Sequence, residues 1–468
     1  MKASGEKFLM VGVALVVLLV VASIGFQTVT DRNRSLAVAK LKKSDAIERY
    51  IETHRVQGEK EPATPGQSKN PLPVETKPGP DSPSTSTAAF ERAFKQRDAL
   101  RGVGRWRKAE EVLLDKPVKE WTEEDWALVK AFVDAAHDLV LEIRRLAETG
   151  GPAYELDFSK GLLEVELPHL AKLREMARML RADALVRGHE GNYGESVEDV
   201  VSGLKLAAVI KDEPLLISQL VRIAIEGICC NTAQLALPPE GIPTDLARRL
   251  VEYAGRCDYR EDFANSFSGE GVTSLDMFEH VREGRVQGLL WSEPNTAQDL
   301  LLGLYGSAFA RPWLNMDEET YVEMVGWMGD ISQLPYYEAL PQVRELQQEV
   351  ENLPRTRVFS HEFLPGLMRA LEAQASNEAM LDLMQIGISI EQYHANTGSY
   401  PATLDAIAPS LGGSVPVDPF TGESYHYQLS GGSFLLYSVG SNLTDDGGGT
   451  FDFRKGDIVW RRMPKNEQ

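Results

Sequence analysis

The chain has 468 residues, with 49 Lys and Arg against 69 Asp and Glu, which gives a formal net charge of −20. This acidic balance argues against a nucleic-acid-binding protein, because such proteins use a basic face to neutralise phosphates. Three cysteines in this length exclude a disulfide-stabilised scaffold. The length alone predicts about two to four domains.

An uncharged apolar run near the N-terminus predicts a membrane anchor. Residues 8–26 contain no Asp, Glu, Lys or Arg and are mostly Val, Leu and Ala. At about 1.5 Å per residue they span roughly 28 Å, close to the hydrocarbon thickness of a bilayer. We therefore expect a single transmembrane helix within residues 1–27. The alternative is a signal peptide cleaved near residues 23–25, although an apolar run of this length favours the anchor.

Two segments of different character follow the anchor. Residues 28–61 are charged and favour helix, so we expect them to continue the membrane helix as a charged helical stalk. Residues 62–87 contain seven prolines, many Ser and Thr and no aromatic residue. Because such a composition cannot bury enough apolar surface to fold, it predicts a disordered linker.

Residues 88–375 show the apolar periodicity of helices and predict a large helical domain. Thr122 precedes three acidic residues, which is the pattern of a helix N-cap. Apolar residues then recur at three- and four-residue spacing at Trp126, Val129, Phe132, Val133, Ala136 and Val140. The segment 215–235 is apolar nearly all round apart from Arg222 and Glu226, which predicts the buried centre of the domain.

The helix pair around residues 170–211 faintly resembles one tetratricopeptide repeat, through Gly191, Tyr193, Ser196 and Gly203. No second copy follows at a period of 34 residues, and a solenoid needs about three repeats. An ordinary antiparallel helix pair and an irregular helical-repeat fold therefore both remain open.

Residues 376–468 predict a small α+β domain. A helix face ends at Gly398, and a turn-rich stretch follows near residues 416–422. Short strands are predicted at Tyr425–Tyr427, Phe434–Ser438 and Ile458–Trp460. The predicted fold class is thus mainly α, with a transmembrane helix, a disordered Pro-rich linker, a large helical domain and this small tail.

The motifs of this tail are similar to the C-terminal domain of the major pseudopilin of type II secretion. That family runs Y-x-x-x-x-G-x-Y-P, then D-P-[WF]-G, then Y-S-x-G-A-D and a terminal D-I. This chain has YHANTGSYP at 393–401, VDPF at 417–420, LYSVG at 436–440 and DI at 457–458. The chain as a whole resembles bacterial membrane-anchored envelope proteins that carry such a tail after a helical region.

The N-terminus departs from the pseudopilin pattern. Pseudopilins begin with a prepilin-peptidase site, a Gly followed by Phe-Thr and a Glu at the fifth mature position, whereas Gly5 here precedes Glu6, Lys7 and Phe8. The helical domain also separates the predicted anchor from the tail. We therefore do not expect a filament subunit. The resemblance implies the fold of this C-terminal domain, and does not by itself imply that the chain is part of the secretion machinery.

The resemblance also implies a structural calcium in the loop between the Y-S-x-G motif and the terminal D-I. The candidate ligands in this acidic, glycine-rich loop are Asn442, Asp445, Asp446, Asp452 and Asp457. Calcium prefers six to eight oxygen ligands on a flexible loop. Asn442 stands where the family has its first Asp, so one charge is missing. The alternative is an acidic turn without an ion.

No catalytic motif stands out in the sequence. G-x-S-x-G, P-loop, H-E-x-x-H and Rossmann patterns are absent from it, and the eight histidines are scattered. Cys229, Cys230 and Cys257 are expected to be free thiols, with a pairing of Cys257 to one of the others as the alternative. No catalytic residue and no cofactor other than calcium is predicted.

The function that the sequence favours is that of a non-enzymatic, membrane-anchored envelope protein acting in binding or assembly, linked through its tail to type II secretion or pilus-like machinery. Its predicted partners are the lipid bilayer, through residues 8–26, and envelope proteins, but not nucleic acid. Basic residues after the anchor would keep the bulk of the chain in the cytoplasm by the positive-inside rule. The resemblance favours the opposite orientation, with the bulk extracytoplasmic. An envelope enzyme with its site in the helical domain and a helical-repeat scaffold are the alternatives.

Overall fold

The computed structural model is mainly helical and ends in a small three-stranded sheet, which confirms this coarse prediction of the fold. It describes residues 27–37, 85–101, 104–158, 162–238, 241–257, 259–285, 304–430, 432–448 and 456–461. The apolar run 8–26 and most of the predicted stalk and linker lie outside these residues.

The principal α-helices of the described residues are α1 (residues 27–37), α2 (Thr85–Arg101), α3 (Gly104–Asp115), α4 (Glu123–Ala135), α5 (His137–Thr149), α6 (Pro168–His189), α7 (Tyr193–Ala208), α8 (Leu216–Ala236), α9 (Thr244–Ala254), α10 (Arg260–Arg282), α11 (Arg311–Ser332), α12 (Tyr336–Glu351) and α13 (Val358–Thr397).

Local sequence signals set the ends of individual helices. The backbone N–H of Asp125 donates to the Thr122 hydroxyl at 3.3 Å, and the backbone N–H of Thr122 donates to the Asp125 carboxylate at 2.7 Å. This capping box confirms the N-cap predicted for α4. At the end of α13, Gly398 has a φ of 78°, a left-handed conformation that favours glycine as a helix stop.

Helices α4 to α9 pack as two rows. Each helix from α4 to α7 contacts both the next helix and the one after it, so α4, α6 and α8 form one row and α5, α7 and α9 the other. Within the first row, Arg181 Nη1 donates to Asn231 Oδ1 at 2.6 Å, and Gly188 lies against the backbone of Ala236. Helices α6 and α8 therefore run in the same direction. Stacked helix pairs of this kind are what the helical-repeat alternative requires.

Helix α8 lies at the centre of this packing, as its apolar sequence predicted. It contacts α6, α7, α10 and α13. Its two charged residues, Arg222 and Glu226, are both buried. They are therefore part of the interior and not of a solvated face.

Helix α1 lies beside α11, held by polar side chains. Arg34 Nε is 2.7 Å from Glu318 Oε2, and Asn315 Nδ2 donates to Asp31 Oδ1 at 2.6 Å. Because each partner advances by three residues between the two pairs, α1 and α11 run parallel.

An apolar contact one turn further along closes the same interface. Ala37 and Val322 are both buried against each other and are flanked by Val272 and Leu275 of α10. Helix α1 therefore occupies the groove between α10 and α11. The described part of the predicted stalk, residues 28–37, is helical, but it packs on the helical domain and does not stand free as a stalk.

Helix α13 is the longest described helix, with 40 residues from Val358 to Thr397, or about 60 Å. It begins beside α11, where the backbone N–H of Ser360 donates to Asp317 Oδ1 at 3.1 Å. Further along, Gln374 Nε2 donates to the carbonyl of Ser332 at 3.1 Å. Helix α13 thus runs parallel to α11 and continues well beyond its end.

The predicted boundary between residues 375 and 376 falls inside α13. The helical domain and the tail therefore share one helix. The polar residues at this point are internal contacts: Asn377 Nδ2 donates to Glu226 Oε2 at 2.8 Å, and Glu378 accepts from Arg260 at 3.2 Å. In a sequence, polar residues at such a position suggest a linker. Here they join α13 to α8 and α10.

The end of the predicted linker is also displaced. Helix α2 begins at Thr85, three residues inside the range 62–87. The hydroxyls of Ser86 and Thr87 donate to the carbonyls of Gly150 and Pro152, at 3.2 and 3.3 Å. Ser and Thr are typical of linkers, but they also begin helices when their hydroxyls find partners.

The tail adds a short helix and an antiparallel sheet to the end of α13. A 3-10 helix spans Leu404–Leu411, and the strands are β1 (His426–Ser430), β2 (Ser433–Ser438) and β3 (Ile458–Arg461) in the order β1-β2-β3. All three predicted strands are present, with ends that differ from the prediction by at most one residue for β2 and β3, whereas β1 continues three residues further, to Ser430. Helix α13 contacts β2, β3 and the 3-10 helix.

Candidate functional site

Aromatic side chains hold the tail against the helical domain. The indole of Trp460 lies over Gly387 of α13, where a Cβ would overlap the ring. Phe420 meets Tyr336 of α12 edge-on, with 5.3 Å between ring centroids. Trp460 and Phe420 belong to the same apolar core as the helices. The tail is therefore packed as part of the helical body and does not hang from it.

The acidic glycine loop, the predicted calcium site, connects β2 to β3. Asp457 is buried, and its two oxygens accept the backbone N–H groups of Asp446 at 3.3 Å and Gly448 at 2.6 Å. Asn442 Nδ2 donates to Asp446 Oδ2 at 3.0 Å. Asp457 therefore holds the loop backbone from its buried side. Asn442 and Asp446 contact each other at the loop surface.

Asp445 is a second exposed carboxylate of the same loop, next to Asp446. Its Oδ1 accepts the N–H of Gly447 and the hydroxyl of Tyr437, each at 2.9 Å. These two hydrogen bonds lower the pKa of Asp445, so this carboxylate is ionised at neutral pH. His426 Nδ1 lies 3.7 Å from its other oxygen.

Four of the five predicted ligands, Asn442, Asp445, Asp446 and Asp457, come together in this loop, while Asp452 lies outside the described residues. Within the described ranges, no group of three or more His, Cys, Asp or Glu is arranged to hold a metal. Most of these side-chain oxygens already accept hydrogen bonds within the loop, although a carboxylate oxygen keeps a second lone pair. The residues therefore supply the oxygen donors that calcium prefers, in a set that the described range leaves incomplete.

Two further carboxylates lie beneath the sheet. Asp418 accepts the backbone N–H groups of Phe420 at 2.9 Å and Val439 at 3.3 Å, which ties the D-P-F turn to the end of β2. Asp382 of α13 accepts the hydroxyl of Tyr425 at 2.9 Å. Burial raises the pKa of Asp382 to about 8.

Sequence reasoning did not single out Asp382. The signal available was its place between the buried residues Ala379 and Ile386, at helical spacing on an otherwise apolar face. A carboxyl group on such a face is forced into a low-dielectric environment, where the protonated form is favoured.

The helical domain contains one cluster with the composition of a hydrolase triad. His169 Nε2 is 2.9 Å from Glu213 Oε1, and the Ser218 hydroxyl donates to the other oxygen of Glu213. All three residues are buried. The carboxylate lies between the serine and the histidine, whereas a nucleophile needs the histidine beside its hydroxyl. The three residues therefore form a hydrogen-bonded polar cluster in the core and do not have the geometry of a catalytic triad.

A second buried network joins α8, α10 and α13. Glu226 interacts with Arg222 at 3.3 Å and also accepts the hydroxyl of Tyr259 and the amide of Asn377. Burial raises the pKa of Glu226, and the Arg222 guanidinium opposes that shift. The network explains why two charged residues interrupt an otherwise apolar helix.

The three cysteines are free thiols, as expected. Cys229 and Cys230 are buried, and burial raises the pKa of the Cys257 thiol to about 12. A thiol with a raised pKa is a poor nucleophile at neutral pH.

An open groove lies between α3, α4 and α6. It is lined by Trp106, Glu110, Leu113, Leu114, Phe132, Glu175, Arg178 and Met179. Leu114 is 51% exposed at its edge. The groove combines apolar and charged side chains on an accessible surface, which suits contact with another chain better than enclosed chemistry.

No protein-family model matches this chain, and neither a curated protein nor a solved structure is significantly similar to it. Among the residues that the structure describes, no helix is long and apolar enough to cross a membrane. The predicted span at residues 8–26 lies outside them.

Proposed function

We propose that this protein is a single-pass membrane protein of the bacterial envelope, whose helical body presents binding surfaces for assembly with other envelope proteins. The bulk of the chain is extracytoplasmic in this proposal. The observation that carries it is the docking of α1 between α10 and α11, directly after the apolar run 8–26.

The position of α1 supports a helical body that lies close to the membrane in this proposal. The apolar run ends at residue 26, and the described helix begins at residue 27. Through Arg34 and Glu318 that helix is joined to the body. The part of the predicted linker that precedes α2, residues 62–84, then connects two parts of the chain that both pack on the body, since Ala37 of α1 and Thr87 of α2 are each buried. In this proposal the linker does not set the distance between the helical body and the membrane.

In this proposal the tail lies away from the anchor, because of the direction of α13. Helix α13 starts beside Asp317 near the beginning of α11 and runs parallel to it for 40 residues, about 60 Å. The sheet packs on the second half of α13, where Trp460 covers Gly387. The acidic glycine loop and the exposed edge of β1 are thus at the end remote from α1, where other envelope proteins can reach them.

The link to type II secretion or pilus-like machinery rests on the resemblance of residues 376–468 to the pseudopilin tail. Calcium binding by Asn442, Asp445, Asp446, Asp452 and Asp457 rests on the same resemblance, supported by the oxygen donors that the loop brings together. In this proposal calcium would hold the loop in one conformation and would take no part in chemistry.

A scaffold built from helix pairs is the second candidate, and a specific observation favours it. Helices α4 to α9 stack in two rows, and the groove beside α3, α4 and α6 exposes Leu114 at its edge. Stacked helix pairs commonly bind partners along one face. The two candidates differ in which surface the partner contacts.

Site-specific photocrosslinking of the full-length protein in cells tests the proposal. A photoreactive residue replaces Leu429 on β1 of the tail, Leu114 at the groove, or Leu141 on α5 as a matched exposed control. Adducts from position 429 with secretion or pilus components would establish the tail as the binding surface. Adducts from position 114 alone would favour the scaffold. Equal labelling at all three positions, or a protein that does not fractionate with membranes, would refute the proposal.

A further inference from the structure

An exposed apolar corner lies at the N-terminal end of α11. It consists of Leu304, Phe309 and Trp313, and we call it the α11 corner. Phe309 is 84% exposed and Leu304 is 58% exposed. Phe309 is the only aromatic among the highly exposed large apolar residues of the described chain. Water contact at two such side chains on one short segment is unfavourable, so the corner is suited to an apolar partner.

The segment that carries the corner is held in place by ring contacts and hydrogen bonds. The Phe309 and Trp313 rings lie 6.1 Å apart between centroids. Behind them, the Tyr305 hydroxyl donates to the carbonyl of Thr356 at 2.7 Å and reaches Asp317 Oδ2 at 3.0 Å. The turn that carries Phe309 is therefore fixed to the starts of α11 and α13 while its apolar side chains remain outside.

The path of the chain indicates what covers the corner. Asp31 of α1 is level with Asn315 of α11, and the two helices are parallel. Residue 27 lies four residues before Asp31, about 6 Å back along the axis, which places it level with the first residues of α11. The apolar run 8–26 ends one residue earlier. The described structure therefore begins level with the start of α11, to which Phe309 is close in sequence, and the predicted membrane span directly precedes it in the chain.

We propose that the α11 corner inserts into the lipid interface of the membrane, beside the point where residues 8–26 leave the bilayer. This inference rests on the proposed membrane anchoring. Aromatic residues such as Phe309 and Trp313 suit the boundary between headgroups and acyl chains, where an apolar ring and polar groups are both accommodated. The corner then works with the single span as a second attachment, which fixes the tilt of the helical body and the direction in which α13 carries the tail.

Fluorescence quenching by lipid tests the proposal. The full-length protein, with Cys257→Ser to remove the partly exposed thiol, carries either Phe309→Cys or Leu429→Cys. Each variant is labelled with an environment-sensitive fluorophore. It is then reconstituted in vesicles of phosphatidylethanolamine and phosphatidylglycerol that contain doxyl-labelled phosphatidylcholine. Leu429 is an apolar residue of β1 that is 53% exposed, and it provides the control at the remote end of the molecule.

The label at position 309 should be quenched several-fold more strongly than the label at 429, with a blue-shifted emission only at 309. If the protein floats with the vesicles and both labels are solvated alike, the corner proposal is wrong while the anchor stands. A shielded label at 309 that doxyl lipid does not quench would assign the corner to a protein contact and would also overturn it. A protein that does not float with the vesicles refutes both the anchor and the corner.

Discussion

Arg34 and Glu318 lie 284 positions apart in the chain and form an ion pair, with Nε 2.7 Å from Oε2. The Glu318 side chain has no exposed surface, and Arg282 of α10 reaches the same carboxylate. One buried acid therefore joins α1, α10 and α11. A buried carboxylate of this kind is stable only while its cationic partners remain.

Arg34→Gln should loosen α1 from the helical body. It removes one of two cations from a carboxylate that solvent cannot reach, and a charge-assisted hydrogen bond of this type contributes about 1.5–3 kcal/mol. We expect a loss of about 2 kcal/mol in the free energy of unfolding, measured by urea denaturation of the full chain in detergent. Arg145→Gln breaks the exposed pair with Glu142 and should cost about 0.5 kcal/mol or less. Equal losses in the two variants would contradict the assignment.

Gly387→Ala should separate the tail from α13. The added Cβ would overlap the indole of Trp460, and both groups are buried in a packed core where overpacking costs about 1–3 kcal/mol. The expected result is a lower melting temperature together with altered near-ultraviolet circular dichroism of the displaced indole. Gly326→Ala is the matched control, because this helical glycine has open space around its Cβ position and alanine there should be neutral or stabilising. A stable Gly387→Ala variant with an unchanged spectrum would show that the tail is not held at this point.

Periodicity in the sequence predicted the helical character of residues 88–375 and all three strands, because one apolar face per element is a local signal. The N-cap at Thr122 and the helix stop at Gly398 were predictable for the same reason. The docking of α1 was not, because Arg34 and Glu318 are ordinary charged residues until the fold brings them together. The continuity of α13 across residue 376 was missed for a related reason: Asn377 looks like a surface residue in the sequence, and only its partner Glu226 shows that it is buried.

Asp382→Asn should change how stability depends on pH. Burial raises the pKa of Asp382 to about 8 in the folded protein, above the value of about 3.9 for the unfolded chain. The folded state therefore holds a proton that the unfolded state releases, and this stabilisation is lost as the pH rises from about 4 towards 8, by at most about 1.4 kcal/mol per pH unit.

The amide introduced by Asp382→Asn keeps an acceptor for the Tyr425 hydroxyl but does not titrate. Unfolding free energies measured from about pH 4 to about pH 8 should therefore fall less steeply for this variant than for the wild type. The exposed carboxylate of Asp330 provides the control, since Asp330→Asn should keep the wild-type slope. Parallel curves for the wild type and Asp382→Asn would refute a raised pKa at this residue.

Calcium should raise the melting temperature of the full chain if the acidic loop binds it, because a ligand that binds only the folded state stabilises it by mass action. Asp446→Asn is the informative variant: within the described part of the loop its carboxylate accepts a hydrogen bond from the Asn442 amide at the surface, whereas Asp457 holds two backbone N–H groups from a buried position. The variant should keep the melting temperature that the wild type shows without calcium, but should lose most of the increase.

Asp405→Asn, in the exposed part of the neighbouring 3-10 helix, should respond to calcium as the wild type does. Magnesium at the same concentration should have a smaller effect, because it demands a tighter octahedral site than a glycine-rich loop provides. An unchanged melting temperature, in an experiment where a known calcium-binding protein responds, would leave the loop as an acidic turn organised by Asp457 alone.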